Sequence, residues 1–150
     1  MATRGSVTVV LSAAALLWLG LPGGAQGVQK FKARLSTVPI DASMQATVAG
    51  SGSVTAELAG TKLSITGNFE GLRSPATIAR VHMGQAGVRG PAIFDLTATK
   101  ATSGTITGTV TLTPLQADNL RKTRMYVQLH SEKAPDGNLW GWFFAEERRP

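Results

Sequence analysis

Residues 105–112 read TITGTVTL, and the fold class follows from this stretch. Threonine stands at positions 105, 107, 109 and 111, and Ile106, Gly108, Val110 and Leu112 fill the positions between. A period of two puts all the threonines on one face of a strand and the aliphatics on the other. β-Branched residues suit that geometry, so threonine is expected to face solvent and the aliphatic face a core.

Downstream, the next signal is chemical. Thr113 is placed to cap a helix, Pro114 suits its first position, and Gln116 lies three residues after the cap. Leu115 and Leu120 supply a narrow apolar stripe, so one short connecting helix is expected near 113–123. Alternation then resumes, with Met125, Val127 and Leu129 on one face and Tyr126, Gln128 and His130 on the other. Asp136-Gly137 is a turn signal before a last strand over Leu139–Phe144, which predicts a closing hairpin.

Upstream, Phe31, Ala33 and Leu35 alternate with Lys30, Lys32 and Arg34, and residues 36–52 read as a loop. Val54, Ala56 and Leu58 are followed by the turn Ala59-Gly60 and by Leu63 and Ile65, a hairpin. Ile78–Met83 is strand-like, Gly84–Pro91 is a glycine-rich loop, and Ala92–Leu96 is a short strand. Many short alternating segments and one helix predict an all-β fold, an antiparallel β-sandwich or barrel.

The N-terminus has a different character. Arg4 precedes an apolar run of about 15 residues, Val7–Leu21, followed by Pro22-Gly23-Gly24. That run is short of the roughly 20 residues that span a bilayer. Residues 1–27 are therefore expected to be a signal peptide, cleaved after Ala25 or Gly27, with 28–150 as a single domain left without a transmembrane anchor. The expected location is secreted or periplasmic.

The chain has no cysteine, which excludes a disulfide framework, a thiol nucleophile and a thiolate metal site. Stability must come from one packed core, for which a mature chain of about 123 to 125 residues is long enough. The formal charge is +6, yet the basic residues are spread along the chain, with clusters only at Arg121-Lys122-Arg124 and Arg148-Arg149. That distribution argues against nucleic acid, which calls for a concentrated basic stripe. It suits a weak attraction to anionic surface polymers or lipid headgroups.

The ordered set Val81-His82-Met83-Gly84, Gly87, Gly90-Pro91, Phe94-Asp95-Leu96, Leu112-Thr113-Pro114, Tyr126-Val127, His130, Pro135, Gly137 and Gly141 resembles the C-terminal half of the chordin (CHRD) domain. That family's pattern runs HIHxGxxGxxGP, an aliphatic-aromatic strand, an LTPxQ helix start, YVxxH, a P-x-G turn and EIRG. The resemblance implies an immunoglobulin-like β fold in an extracellular setting and a role in binding or structure. It marks a polar cluster of Arg80, His82, Tyr126, His130 and Trp140 and a motif loop containing Gly84, Gly87, Gly90 and Pro91. Two positions depart from the pattern. The first histidine of HIH falls on Arg80, and EIRG appears as Asn138-Leu139-Trp140-Gly141.

Residues two apart on a strand share a face, which groups Arg80 with His82, Tyr126 with Gln128 and His130, and Asn138 with Trp140 and Trp142. These groups are expected to adjoin across neighbouring strands, with Arg80 supplying a cation beneath Trp140. His82 and His130 are the only nitrogen ligands for a metal, with Asp95 or Glu132 as a completing carboxylate, and no H-E-x-x-H spacing is present. The plainer reading is that both histidines hydrogen-bond within the fold. There is no G-x-S-x-G elbow and no prominent carboxylate pair, so a hydrolase ranks last and no cofactor is expected. Trp140, Trp142, Phe143 and Phe144 are read either as a contact patch or, more commonly for such residues, as core. The function expected from the sequence is an exported non-catalytic binding or structural module. Its partner would be an extracytoplasmic protein or surface polymer, with a metal-binding β-sandwich using His82 and His130 as the alternative.

Overall fold

The computed structural model describes residues 27–147. The leader expected at the N-terminus lies outside them but for Gly27, as does the end of the basic tail. The elements are β1 (Gln29–Thr37), β2 (Ser51–Ala59), β3 (Lys62–Glu70), β4 (Ala76–Met83), β5 (Ala92–Ala98), β6 (Gly104–Thr111), α1 (Pro114–Arg121), β7 (Met125–Ser131), β8 (Ala134–Trp142) and β9 (Phe144–Ala145).

All pairings are antiparallel, in the order β2-β3-β6-β5-β4-β7-β8-β1, and β1 pairs back onto β2. The result is a closed eight-stranded barrel, with β9 added to β1 at Phe31 and Lys32. It is all-β as expected, but it is not specifically immunoglobulin-like. Two strands make the difference by belonging to both halves. β1 pairs along Gln29–Leu35 with β2 and then, at Ser36 and Thr37, with β8. β5 pairs with β4 up to Leu96 and with β6 at Thr97 and Ala98. Strands that switch sheets form corners, and two such corners close what would otherwise be an open sandwich.

Alternation fills the interior. Phe31, Ala33, Leu35, Val54, Ala56, Leu58, Leu63, Ile65, Val81, Ile106, Val127, Leu129 and Leu139 are buried in one contiguous core. In β6 the threonines at 105, 107, 109 and 111 are exposed while Ile106 is buried, as the pattern predicts. The β2–β3 hairpin forms as expected, but its two-residue turn is Gly60-Thr61, one position beyond the expected Ala59-Gly60, because Ala59 is still paired, opposite Lys62.

The helix begins where its capping chemistry places it. Thr113 Oγ1 accepts from the Gln116 amide at 3.2 Å, and Gln116 Oε1 accepts from the Thr113 amide at 2.9 Å. The buried stripe is Ala117 and Leu120, whereas Leu115 is 67% exposed. An i, i+3 spacing shares one face and the five-residue step from Leu115 to Leu120 does not. The helix carries the chain from β6 past β5 and β4 to β7, and Leu120 joins the barrel core.

The closing hairpin differs from expectation. The β7–β8 turn is Glu132-Lys133, since Ser131 pairs with Ala134. Asp136-Gly137 lies inside β8, in a bulge: between the pairs Leu129–Leu139 and Ser131–Ala134, β7 advances two residues and β8 five. Gly137 has φ +132°, and a Cβ there would collide with the Gln128 side chain. The Asp-Gly pair therefore serves a close side-chain approach and not a chain reversal.

Candidate functional site

Every residue of β7 is buried, although a barrel strand ordinarily buries only its inward face. Met125, Val127 and Leu129 point to the core. Tyr126, Gln128 and His130 lie on the outer face and are covered by a second layer, the loop 84–91 on one side and the β8 bulge on the other.

Side chains from β4 and β7 fasten both covers through backbone carbonyls. His82 Nδ1 lies 2.9 Å from Gly90 O, and Tyr126 Oη accepts from the Gly90 amide at 3.0 Å and donates to Gly90 O at 3.3 Å. Gln128 Nε2 donates to Asp136 O at 2.8 Å, and His130 Nδ1 lies 2.8 Å from Pro135 O. Trp142 Nε1 donates to Gly84 O at 3.0 Å. A Cβ at Gly90 would collide with Met83 O, so only glycine lets the loop descend onto the strand. Gly84, Gly87 and Pro91 lie in the same loop, which closes with the Met83 amide donating to Pro91 O.

The register brings the expected groups together. Arg80 is opposite Gln128 and His82 opposite Tyr126, while Tyr126 is opposite Trp142 and Gln128 opposite Trp140. The rings form a continuous run, with centroids 6.4 Å apart for His130–His82, 4.9 Å for His82–Tyr126, 4.5 Å for Tyr126–Trp142 and 4.7 Å for Trp142–Trp140. Asn138 leaves the group, because the bulge turns its amide to donate to Ala49 O at 2.8 Å. Burial, together with the charges of Arg80 and His82, holds the His130 pKa below the ordinary imidazole value.

Arg80 does not stand beneath Trp140. Its Nε pairs with Asp95 Oδ1 at 2.9 Å, and the guanidinium over Trp140 belongs to Arg89, with Cζ 6.0 Å from the ring centroid. Arg89 comes from the glycine-rich loop and also donates to Asp136 O at 3.3 Å. Asp95 opposite Arg80 on β5 captures the nearer cation, and the loop delivers the other.

The aromatic ending divides between the two readings. Phe143 is fully buried and Trp142 nearly so. Trp140 is half-buried, and Phe144 is 58% exposed. Arg34, Ser36, Ala86, Trp140, Gly141, Trp142 and Phe144 line a groove of about 220 Å³. Arg34 and Arg89 were not among the residues singled out from sequence. Phe144 continues the Trp140, Trp142 spacing of two, a signal that was present. A larger cavity of about 510 Å³ lies at Val28–Phe31, Arg121 and Ala145–Glu147, away from the motif residues and beside both ends of the described chain.

Among the described residues no group of three or more histidine, aspartate or glutamate side chains comes together for a metal. A zinc-type site, which needs three or four protein ligands, therefore has only two imidazoles to draw on. No helix among the described residues is long and apolar enough to cross a membrane.

A closed antiparallel barrel, with one strand roofed by a glycine-rich loop held through backbone carbonyls, defines a scaffold that displays loops and a rim. The chain belongs to the CHRD domain family, whose model matches residues 31–142. At family level that is a binding or structural module of non-catalytic type. The match runs from the first core residue of β1 to the last residue of β8, so β9 and Phe144 lie beyond it. Comparison with curated proteins and with solved structures finds no match.

Proposed function

We propose that this chain is an exported, non-catalytic binding module whose contact surface is the rim formed by Arg34, Arg89, Trp140 and Phe144. The observation that carries the reading is Phe144, an aromatic ring 58% exposed at the mouth of a groove it shares with Trp140 and Arg34. An exposed large ring beside a half-buried one, flanked by guanidinium groups, is the composition of a recognition patch. The groove is smaller than the roughly 300–1,000 Å³ of small-molecule pockets. It suits one projecting group of a larger partner, such as a sugar ring of a surface polymer or a side chain. Two arginines and a net charge of +6, or about +5 once Arg4 leaves with the leader, favour an anionic polymer over a neutral one.

Export is supported by Arg4 and the apolar run Val7–Leu21. Mass spectrometry of the secreted or periplasmic fraction should find a chain beginning at Gln26 or Val28, and an intact Met1 start there would refute cleavage. For binding, the purified domain is tested against anionic and neutral surface polysaccharides. Phe144→Ala and Arg34→Gln should each weaken retention on the anionic polymer at least about fivefold with the fold unchanged, as expected of a contact patch. Equal retention by wild type and both variants would remove this face from consideration.

A further inference from the structure

His82 and His130 have a property that fastening the covers does not use. A carbonyl oxygen only accepts, so Gly90 O and Pro135 O fix the proton of each imidazole on Nδ1. In the neutral ring each Nε2 is then a bare lone pair. Both Nε2 atoms are buried without a hydrogen-bond partner among the described residues, and His130 is only 7% exposed. Pinning Nδ1 to a backbone carbonyl while leaving Nε2 free is the arrangement that orients a histidine toward a metal.

The strand register and the ring spacing show how the two imidazoles meet. His82 is opposite Tyr126, and His130 is opposite Ile78. The two Cα atoms are thus separated by four residues, about 13 Å, along the strands. The ring centroids are only 6.4 Å apart, with the ring planes inclined by 29°, so the imidazoles lean toward each other above the Arg80–Gln128 pair. Nε2 and Cε1 are the ring atoms farthest from Cβ, so they lead that approach. With metal–imidazole bonds near ~2.0 Å, two nitrogens on opposite sides of one ion lie about 4 Å apart. Adding roughly 1.2 Å from each Nε2 to its ring centre gives a centroid spacing of about 6.4 Å for such a pair.

We propose that His82 Nε2 and His130 Nε2 form a two-coordinate site for a monovalent d10 ion, Cu(I). Two neutral nitrogens in line satisfy such an ion, whereas a divalent ion asks for more ligands and negative charge. Arg80 enforces the distinction. It lies on the same strand face between the histidines, where a third ligand would stand, and its charge is balanced by Asp95 at 2.9 Å. That leaves no free carboxylate at the site, and any residual repulsion from the guanidinium weighs more heavily on a doubly charged ion than on a singly charged one.

The test uses the untagged chain stripped of metal. Anaerobic competition with a chromophoric Cu(I) chelator should give one ion per chain. Titration with Ag(I), the redox-inert analogue, should move both Nε2 resonances in imidazole nitrogen NMR. His82→Ala and His130→Ala should each weaken binding by at least about a hundredfold, beyond the effect of losing an outer-shell partner. Arg80→His should add Zn(II) binding that the wild type lacks. The proposal is overturned if the folded wild type takes neither Cu(I) nor Ag(I). It is equally overturned if binding persists in both histidine variants, which would place the ion on methionine, or if Ag(I) leaves the Nε2 resonances of wild type unmoved. The NMR reading needs only wild type, so a variant that fails to fold does not shelter the idea.

Discussion

Replacing Tyr126 by phenylalanine removes one oxygen and keeps the ring. Tyr126 is fully buried, and its ring contacts with His82 and Trp142 survive the change, so no cavity opens. Two hydrogen bonds go, both to Gly90. Gly90 O retains His82 Nδ1 at 2.9 Å, and the lasting damage is therefore one orphaned amide on Gly90. An orphaned buried donor costs about 1–3 kcal/mol. Gly90 is half-buried, so water reaches the amide after a small loop movement and the lower half, about 1–2 kcal/mol, applies. For a domain of this size that is a Tm fall of roughly 4–8 °C. Because the lost contacts join the 84–91 loop to the barrel, the opening should be local. Amide exchange in that loop should quicken by about 5- to 30-fold, while the β2–β3 hairpin changes only with global stability. Thermal melts followed by circular dichroism, together with exchange mass spectrometry, read both quantities. A Tm within about 1 °C of wild type and unaltered loop exchange would refute the view that the tyrosine fastens the loop.

Metal-free protein should lose stability on acidification because of His130. Its folded pKa lies below the ordinary value of 6.5, so the unfolded chain binds the proton first. The contribution is complete above about pH 6.5 and declines as pH falls through that window toward the folded pKa. Urea midpoints should show this slope, and His130→Gln should flatten it even though Arg80, His82 and Asp136 remain nearby. Gly137→Ala forces a side chain into a left-handed backbone region and against Gln128, breaking its bond to Asp136 O. A loss of about 2–4 kcal/mol by denaturant unfolding is expected. Leu120→Ala should cost about 2–5 kcal/mol and Leu115→Ala less than about 0.5 kcal/mol in the same assay, since only Leu120 is in the core.

What was legible in the sequence was local. Threonine alternation in 105–112, the Gly60 turn and the Thr113–Gln116 capping pair each report contacts between residues a few positions apart, and all three stand in the structure, the turn one position further along. Closure of the barrel is a different kind of fact. It depends on Ser36 and Thr37 meeting Trp140 and Leu139, a pairing that no local pattern encodes, so sandwich and barrel look alike from sequence. Asp136-Gly137 misleads for a related reason. The glycine is required by the approach of Gln128, a tertiary contact, and the same dipeptide happens to be a favoured turn. Arg89 escaped notice because an arginine in a glycine-rich loop looks solvated until the loop is placed over Trp140.

The polar residues of the family motif acquire a different meaning once β7 is seen to be buried on both faces. A barrel strand whose outer face carries Tyr126, Gln128 and His130 would ordinarily present them to solvent. Here they are consumed in satisfying Gly90 O, Asp136 O and Pro135 O, carbonyls that the loop and the bulge bring down onto the barrel. Buried backbone groups must find partners, so these side chains are what allows an irregular second layer to pack on a regular strand. Surface available for recognition is thereby displaced outward to the rim. The departure at Trp140 follows the same logic. Arg89 reaches over the indole from the loop and also grips Asp136 O in the bulge, so the cation and the ring belong to the two covers and not to one strand. Anything seated on Trp140 and Phe144 would then contact an element whose position depends on the carbonyl contacts around Tyr126, which ties recognition at the rim to the buried polar layer beneath it.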